Sequence, residues 1–139
     1  MKLELPEQKK FLYQMTMPVR WGDMDALGHV NNVSYFRYME TIRMEWFHSL
    51  GLANKSSGAG PVILNAFCNF HQQLFHPAEL CLKMYASDLK RATFESWTTM
   101  ERVDRPGEIF ASGGATVVWV NWTTQRADSL PQWVRALVT

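Results

Sequence analysis

A short segment of this chain, Arg20–Asn32, concentrates polar residues just before a stretch with helical periodicity. Its sequence is Arg-Trp-Gly-Asp-Met-Asp-Ala-Leu-Gly-His-Val-Asn-Asn. Asp25 is thereby placed a few residues before the free backbone N–H groups that open a helix. A carboxylate can activate water or attack a carbonyl carbon, and such N–H groups can bind the developing oxyanion. The segment therefore predicts hydrolysis of an activated ester.

A thioester suits these groups, because its leaving thiol has a pKa of about 8.5 and departs with little protonation. The protein then has to supply a nucleophile, from Asp25, and stabilisation of the oxyanion, from the first turn of the helix. Neither a serine triad nor a metal ion is needed. The residues alone leave a second interpretation open, in which Asp25 is a turn residue that satisfies nearby N–H groups.

The segment Val33–Leu50 is predicted to be the helix that follows. Asn31 or Asn32 is a suitable N-cap, and Gly51 is a suitable stop. Apolar side chains recur there at helical spacing, at Tyr35, Met39, Ile42, Trp46 and Leu50. Five more widen this stripe, namely Val33, Phe36, Tyr38, Met44 and Phe47. We therefore expect a curved sheet to cover the helix on more than one side.

The remaining chain supplies that sheet. Strand-like runs are predicted at Phe11–Val19, Pro61–Leu74, Glu79–Asp88, Thr93–Val103 and Ile109–Trp122. Turn signals separate them, and a Ser/Gly-rich loop at Asn54–Gly60 follows the helix. A short helix at Pro131–Val138 is expected to close the chain. The predicted fold class is α+β, a single domain over residues 1–139 with a long central helix and an antiparallel sheet of about five strands.

Composition narrows the functional class. The chain has 139 residues, 47% of them hydrophobic and 19% charged, which is typical of one soluble globular domain. A net charge of +1 argues against a broad nucleic-acid surface. We expect no signal peptide and no membrane span, because no apolar run approaches about 18 residues. Cys68 and Cys81 have no metal-ligand spacing and are expected to be reduced, so a cytoplasmic protein without a metal is predicted.

The stretch Asp23-Met24-Asp25-Ala26-Leu27-Gly28-His29-Val30-Asn31-Asn32-Val33-Ser34-Tyr35, continuing to Glu40-Thr41-Ile42-Arg43, resembles the signature of the hot-dog-fold acyl-CoA thioesterases. The 4-hydroxybenzoyl-CoA thioesterase-like group is the branch that it resembles most. The His-Val-Asn-Asn portion is also similar to plant-type acyl-carrier-protein thioesterases. The resemblance implies a hot-dog fold along nearly the whole chain, and it says little about the acyl group.

The resemblance also implies roles for individual residues. The second Asp of the Asp-x-Asp pair, Asp25, corresponds to the catalytic carboxylate. The backbone N–H that polarises the thioester carbonyl lies seven positions later, at Asn32. Gly28 matches the family glycine, and we group it with Tyr35 of the same motif as substrate-binding. Because the family site forms between two protomers, self-association to a dimer or tetramer is implied.

Other polar residues leave more than one interpretation. Asp23 is expected to hold the loop through backbone hydrogen bonds. His29 could bind the substrate carbonyl, position Asp25 or stabilise the loop. Lys90 and Arg91, grouped with Arg102 and Arg105, could bind the phosphates of coenzyme A or form an ordinary surface.

Three further groups are given mainly structural interpretations. Arg37, Glu40 and Arg43 are expected to form a solvated or interfacial ion-pair face. His71 and His76 are assigned no catalytic role. The aromatic residues Phe94, Trp97, Trp119 and Trp122 are expected in the core or an interface, or else along an acyl tunnel.

The sequence thus predicts an acyl-CoA thioesterase with catalytic residues Asp25, Asn32 and His29. Coenzyme A would enter as part of the substrate, and no separate cofactor is expected. Two other functions stay open: a hot-dog hydratase or dehydratase, and a non-catalytic module that binds acyl-CoA or an acyl carrier. The acyl group, the carrier and the choice of Asp25 as nucleophile or general base are not decided.

Overall fold

A long helix packs across one antiparallel sheet in this protein. The computed structural model describes residues 3–52 and 58–139, so most of the predicted loop at Asn54–Gly60 lies outside the described residues. The elements are β1 (Lys10–Val19), a 3-10 turn (Trp21–Asp23), α1 (Asn32–Ser49), β2 (Ala59–Phe70), β3 (Ala78–Ser87), β4 (Thr93–Arg102), β5 (Ile109–Asn121), β6 (Arg126–Ala127) and α2 (Gln132–Val138). The predicted α+β class is confirmed, as is the arrangement that the hot-dog resemblance implied.

The sheet has the strand order β1-β3-β4-β5-β2, and β6 pairs with β5. All pairs are antiparallel, and β1 and β2 are the edge strands. The described residues form six strands where about five were predicted, because the two residues of β6 are too few for a period-two pattern. The ends of β1 and β2 and the starts of α1 and β3 lie together where these strands begin or end. We call this end of the sheet the loop end.

Apolar side chains of α1 pack against the concave face of the sheet and form the core. The helix approaches β5 closely at Gly113, where an added Cβ would overlap Met39 Sδ. Burying a large apolar side chain such as that of Met39 stabilises the fold by about 1.5–3 kcal/mol. The buried helix residues include Tyr35, Tyr38, Met39, Ile42 and Trp46, and those of the sheet include Leu82, Met84, Phe94, Met100 and Val117. The packing fixes the direction of α1, so its N-terminus lies at the loop end.

The expectation that the sheet covers the whole apolar arc of the helix was wrong for three residues. Val33, Phe36 and Met44 are 67%, 37% and 52% exposed, whereas Tyr38 and Phe47 are buried. The reason is geometric, since a sheet on one side of a helix cannot reach residues that point away from it. Within the described residues, no helix is long and apolar enough to cross a membrane.

Candidate active site

The segment between β1 and α1 is a narrow loop closed by its own backbone. Asn31 N–H donates to Asp23 O at 2.9 Å, and Asp25 N–H donates to His29 O at 2.9 Å. Between these two bonds, Met24 and Val30 form an isolated antiparallel bridge. Val30 N–H also donates to Leu74 O, which joins the loop to the chain beyond β2. The positions of Asp25 and of the helix start are therefore fixed relative to each other.

Asp23 anchors this loop. Its Oδ2 accepts hydrogen bonds from the Arg20 N–H at 2.9 Å and from the Tyr38 hydroxyl at 2.7 Å. Burial, followed by the bond to the Asp23 carboxylate, raises the pKa of Tyr38 well above its ordinary value. The structural role predicted for Asp23 agrees with these contacts.

The two carboxylate oxygens of Asp25 have different surroundings. Oδ1 accepts a hydrogen bond from the Leu27 N–H at 2.8 Å, as a turn residue would. Oδ2 lies 3.8 Å from His29 Nδ1, too far for a hydrogen bond, and makes none with the described residues. The side chain is 24% exposed. One oxygen thus holds the loop, and the other is accessible to a water molecule or a substrate.

Gly28 lies at the turn between Asp25 and His29. Its N–H donates to Asp25 O at 3.1 Å, and its φ of +85° belongs to the left-handed region that favours glycine. An added Cβ would meet nothing within 4 Å. Glycine is therefore needed here for backbone conformation and not for space.

The start of α1 leaves one N–H group open. Asn31 is the N-cap, and its side chain accepts from the Val33 N–H at 2.9 Å. The Ser34 N–H donates to Asn31 O at 2.9 Å. The Asn32 N–H has no acceptor among the described residues. It is therefore the first-turn donor that remains available to a ligand, next to the positive end of the helix dipole.

Two neighbouring recesses open at the loop end. One, of about 530 Å³, is lined by residues that include Asp25, Gly28, Trp21 and His76. The other, of about 270 Å³, is lined by residues that include Asn32, Tyr35, His29 and His71. The structure thus places Asp25 and Asn32 in two neighbouring recesses of the chain and not in a single one.

His29 lies next to both groups. Its Nδ1 is 3.3 Å from Val30 O and 3.8 Å from Asp25 Oδ2. Tyr35 is buried; its hydroxyl accepts from the Leu74 N–H at 3.2 Å, and its ring packs edge-on against Phe70 with centroids 4.9 Å apart. Both residues therefore border the recess at the helix start.

The four basic residues that were grouped together do not form one cluster. Lys90 and Arg91 follow the end of β3, whereas the Asp25 loop lies near its start, and a ten-residue strand spans about 33 Å. Arg102 and Arg105 lie at the loop end instead, where Asp104 and Glu108 face them. The grouping was wrong because the turns that carry these residues lie at opposite ends of the strands.

Lys90 and Arg91 are exposed, and the Arg91 side chain forms a hydrogen bond. Arg91 Nη1 donates to Ser129 Oγ at 3.1 Å, and Arg135 Nη1 donates to Lys90 O at 3.1 Å. Their contacts are thus with the segment around Ser129 and with α2, and not with the Asp25 loop.

Arg43 departs from the predicted ion-pair face. It is only 8% exposed and has no hydrogen bond or ion pair among the described residues. Burial lowers the pKa of its guanidinium. The prediction of a solvated residue was wrong for Arg43, because it lies beside the core-facing Met39 and Ile42 stripe; the nearby Glu40 carboxylate partly offsets the lowering of its pKa.

Sequence reasoning assigned no role to His71 and His76, which border the two recesses. Both follow β2 and are distant in sequence from the motif, so no local spacing points to them. Phe94, Trp97 and Trp119 are buried, which agrees with the expected core role, and Trp122 borders a recess near β2. Within the described residues, no group of three or more His, Cys, Asp or Glu side chains could hold a metal ion.

The chain is similar in sequence and structure to known thioesterase-like proteins. The family model of the thioesterase-like superfamily matches residues 19–138. The PA2801 protein of Pseudomonas aeruginosa, whose thioesterase activity is itself a proposal, is 33% identical with a TM-score of 0.86, and the match covers 91% of this chain and 98% of that one.

Two solved thioesterases share the fold at lower identity. The gentisyl-coenzyme A thioesterase BH1999 is 24% identical with a TM-score of 0.76, covering 88% of this chain and 99% of that one. A 1,4-dihydroxy-2-naphthoyl-CoA thioesterase from Synechocystis is 15% identical with a TM-score of 0.79, covering 90% and 93%.

A long helix on an antiparallel sheet, with this family match, defines a thioester hydrolase of the hot-dog fold. The chain belongs to the thioesterase-like superfamily.

Proposed function

We propose that this protein hydrolyses an acyl-CoA thioester to the free acid and coenzyme A, with Asp25 and the Asn32 N–H as its catalytic groups. One observation carries the proposal: the same short loop holds a carboxylate oxygen and a first-turn N–H that both lack partners among the described residues. Solvent reaches both groups, so a substrate can replace the water bound at each of them.

The proposed reaction needs only these groups. The Asn32 N–H donates to the thioester carbonyl oxygen and stabilises the oxyanion as the carbonyl carbon becomes tetrahedral. Asp25 either removes a proton from the attacking water or attacks the carbon itself, forming an anhydride that water then opens. In both routes the C–S bond breaks and the thiolate takes up a proton. The oxygen that enters the acid comes from water directly, or from Asp25, whose carboxylate water then restores.

The other residues of the loop support this chemistry. His29 lies 3.8 Å from Asp25 Oδ2 and borders the recess of Asn32, so we propose that it orients the carboxylate or contacts the substrate carbonyl. Gly28 allows the turn that brings these residues together, and Tyr35 forms a wall of the acyl-binding recess. Coenzyme A enters as part of the substrate, and the proposed mechanism uses no separate cofactor or metal. We also propose that the protein acts in the cytoplasm.

The proposal includes self-association, because Asp25 and Asn32 open on adjacent recesses that a second protomer could join. Strand β2 is an edge strand, with β5 on one side and no other strand of the described residues on its other side, and it carries the exposed apolar side chains of Val62 and Leu64. Val33 and Phe36 of α1 are exposed as well. We therefore propose a dimer formed along β2. Sedimentation of the wild type should give at least twice the chain mass, and Leu64→Glu should shift it toward the monomer.

A panel of acyl-CoA esters tests the function directly. Short and long aliphatic esters and aryl esters would be incubated with the enzyme, and free thiol would be followed with a thiol reagent. Release of thiol with at least one class is the expected result. Addition of water to an unsaturated acyl group without thiol release would identify a hydratase instead. Tight binding without either reaction would identify a binding module.

A further inference from the structure

The segment before β1, residues 3–9, crosses the convex face of the sheet, which is the face opposite to α1. Its two ends are fixed on opposite sides of that face. Near the β2 edge, Asn69 Nδ2 donates to Leu3 O at 2.7 Å. At the other end, Lys9 Nζ lies 5.2 Å from the centre of the Tyr85 ring, and β1 begins with the next residue. The segment therefore places Leu3 at the β2 edge of the sheet.

The strand register identifies the face on which these contacts lie. Gly113 of β5 faces α1, because an added Cβ there would overlap Met39. Successive residues of a strand point to opposite faces, so Ser112 is on the convex face, together with Asn69, which is paired with it. The register of β3, β4 and β5 places Tyr85 on the same face. Both ends of the segment are thus held on the convex face.

The convex face also has an apolar recess, at the end of β2 opposite to the loop end. It has a volume of about 360 Å³ and is lined by Val62, Val120, Trp122 and Gln125. Val120 points the same way as Ser112, eight positions earlier on β5, and it is paired with Gly60 of β2. The Trp122 indole covers this side of Gly60, because a Cβ added to Gly60 would overlap the ring.

Leu3 and this recess are too far apart to meet within one chain. Asn69, which binds Leu3, is seven positions after Val62 on β2, and such a length of strand spans about 20 Å. The Leu3 side chain is 59% exposed. An exposed leucine and an open apolar recess therefore lie at opposite ends of the same edge strand.

A second copy paired along β2 would bring the leucine and the recess together. When two β2 strands pair antiparallel in one continuous sheet, the two-fold axis is perpendicular to the sheet, so both convex faces lie on the same side. Pairing of the twelve residues about the middle of the strand sets Asn69 opposite Gly60 of the second copy. Leu3 of one copy then lies beside the Trp122 indole of the other.

We propose that Leu3 of each chain inserts into the apolar recess beside Trp122 of a second copy and stabilises the dimer along β2. The inference rests on the self-association included in the proposed function. It assigns an occupant to a recess that the proposed hydrolysis does not use. The two-fold symmetry produces two such contacts in each dimer.

Cross-linking tests the placement of Leu3. The double variant Leu3→Cys/Gln125→Cys would be treated with a short bismaleimide and separated under denaturing conditions. A covalent dimer should form, because Leu3 lies close to Gln125 of the second copy and far from Gln125 of its own chain. Neither single variant should give more covalent dimer than wild type, whose Cys68 and Cys81 set the background. A double variant that sediments as a dimer without cross-linking would overturn the inference.

Substitution of Leu3 tests its contribution to affinity. Leu3→Asp should raise the dimer dissociation constant at least about 10²-fold, because each dimer loses two apolar contacts and places two carboxylates in apolar recesses. Leu3→Met should stay within about threefold of wild type. Val103→Asp, which changes an exposed apolar residue in the turn after β4, is the control and should not alter the constant. Sedimentation over a dilution series measures it, and an unchanged constant in Leu3→Asp would overturn the inference.

Failure of this inference is distinguishable from failure of the proposed hydrolysis. A wild type that sediments as a monomer would overturn both the contact and the dimer along β2, while thiol release from acyl-CoA esters would still establish hydrolysis. A cross-linked dimer that releases no thiol from any ester would overturn the hydrolysis and support the contact of Leu3.

Discussion

The hydroxyl of Tyr38 donates a 2.7 Å hydrogen bond to Asp23 Oδ2, and this bond joins the middle of α1 to the loop that carries Asp25. The same oxygen accepts the Arg20 N–H at the end of β1. A strand, a loop and a helix therefore meet at one carboxylate. The helix cannot rotate or slide without displacing the loop, so the distance from Asp25 to the helix start is fixed by packing.

Removing the Tyr38 hydroxyl should destabilise the protein. Tyr38→Phe leaves a partly buried carboxylate oxygen with one donor fewer, which should lower the free energy of unfolding by about 1.5–3 kcal/mol. Urea denaturation measures this change. Tyr13→Phe is the control, because that hydroxyl makes no hydrogen bond with the described residues, and it should lower stability much less. Equal effects of the two changes would contradict the anchoring role.

The contribution of Tyr38 should also depend on pH. Because the folded-state pKa of Tyr38 is raised, the protonated hydroxyl is favoured by folding. Its stabilising effect should be complete below the unfolded pKa of about 10 and should decline as the pH rises toward the folded-state value. The difference in unfolding free energy between wild type and Tyr38→Phe should therefore be constant from pH 7 to 9.

Asp25→Asn should lose most hydrolysis while the fold is kept. The amide oxygen can still accept the Leu27 N–H, so the loop retains its turn, but the group can no longer act as base or nucleophile. Loss of a general base typically lowers the rate about 10²–10⁴-fold. Asp128→Asn provides the control, since Asp128 is exposed and likewise accepts a nearby N–H, from Ser129. Near-wild-type turnover of every active ester by Asp25→Asn would refute the assignment.

Two substitutions of Asn32 distinguish the contribution of its backbone N–H to catalysis from that of its side chain. Asn32→Ala keeps the N–H and should be mild. Asn32→Pro removes it at the first helical position, where proline is well tolerated, and Asn31 already has the extended φ of −64° and ψ of 141° that proline requires of its neighbour. We expect Asn32→Pro to fold normally and lose about 10²–10³ in kcat. Circular dichroism and kcat on the same preparations check this, and equal activity of the two variants would exclude an oxyanion role.

Gly28→Ala tests the conformation of the loop. An alanine at a φ of +85° is strained by about 1–2 kcal/mol although its Cβ meets no atom within 4 Å. The strain should displace the turn and reduce kcat more than it reduces stability. Gly28→Asn should be better tolerated, because asparagine adopts positive φ more readily. A Gly28→Ala enzyme with full activity would show that the turn geometry is not needed.

Lys90 gives a test of the phosphate-binding prediction. If Lys90 binds coenzyme A, Lys90→Ala should raise KM several-fold for an acyl-CoA and leave the KM of the matching N-acetylcysteamine thioester unchanged, since the latter lacks phosphates. Arg126→Ala, which removes an exposed charge on β6, is the control. Because Lys90 lies at the far end of the strands from Asp25, such an effect would also require a second subunit to bring it there. An unchanged KM would assign Lys90 to the ordinary surface.

Local patterns predicted the elements that have a strong period. The helix at Val33–Leu50 and the strand runs agree with α1 and β1–β5 to within a few residues, because apolar spacing and turn residues act over short distances. The choice between Asn31 and Asn32 as N-cap needed coordinates, since both side chains can cap a helix.

What the sequence could not show depends on residues far apart in the chain. The pairing of His71 with Ser112 crosses from the end of β2 to β5, and no local spacing encodes it. Arg43 looked polar and solvated by residue type, yet its place beside the core-facing stripe buries it. Lys90 and Arg102 lie at opposite ends of the sheet because they precede and end the same strand, β4. Turn residues alone do not predict on which end of a sheet each turn lies.

The closed ladder of the Asp25 loop limits how its length can vary. An extra residue at Ala26 or Leu27 would disrupt the bonds that the Leu27 and Gly28 N–H groups donate to Asp25 and would displace the carboxylate. An insertion between His29 and Asn31 would shift the bridge at Val30 and turn the helix start away from the carboxylate. Natural relatives that keep the same reaction should therefore have the same number of residues from Asp25 to the start of α1.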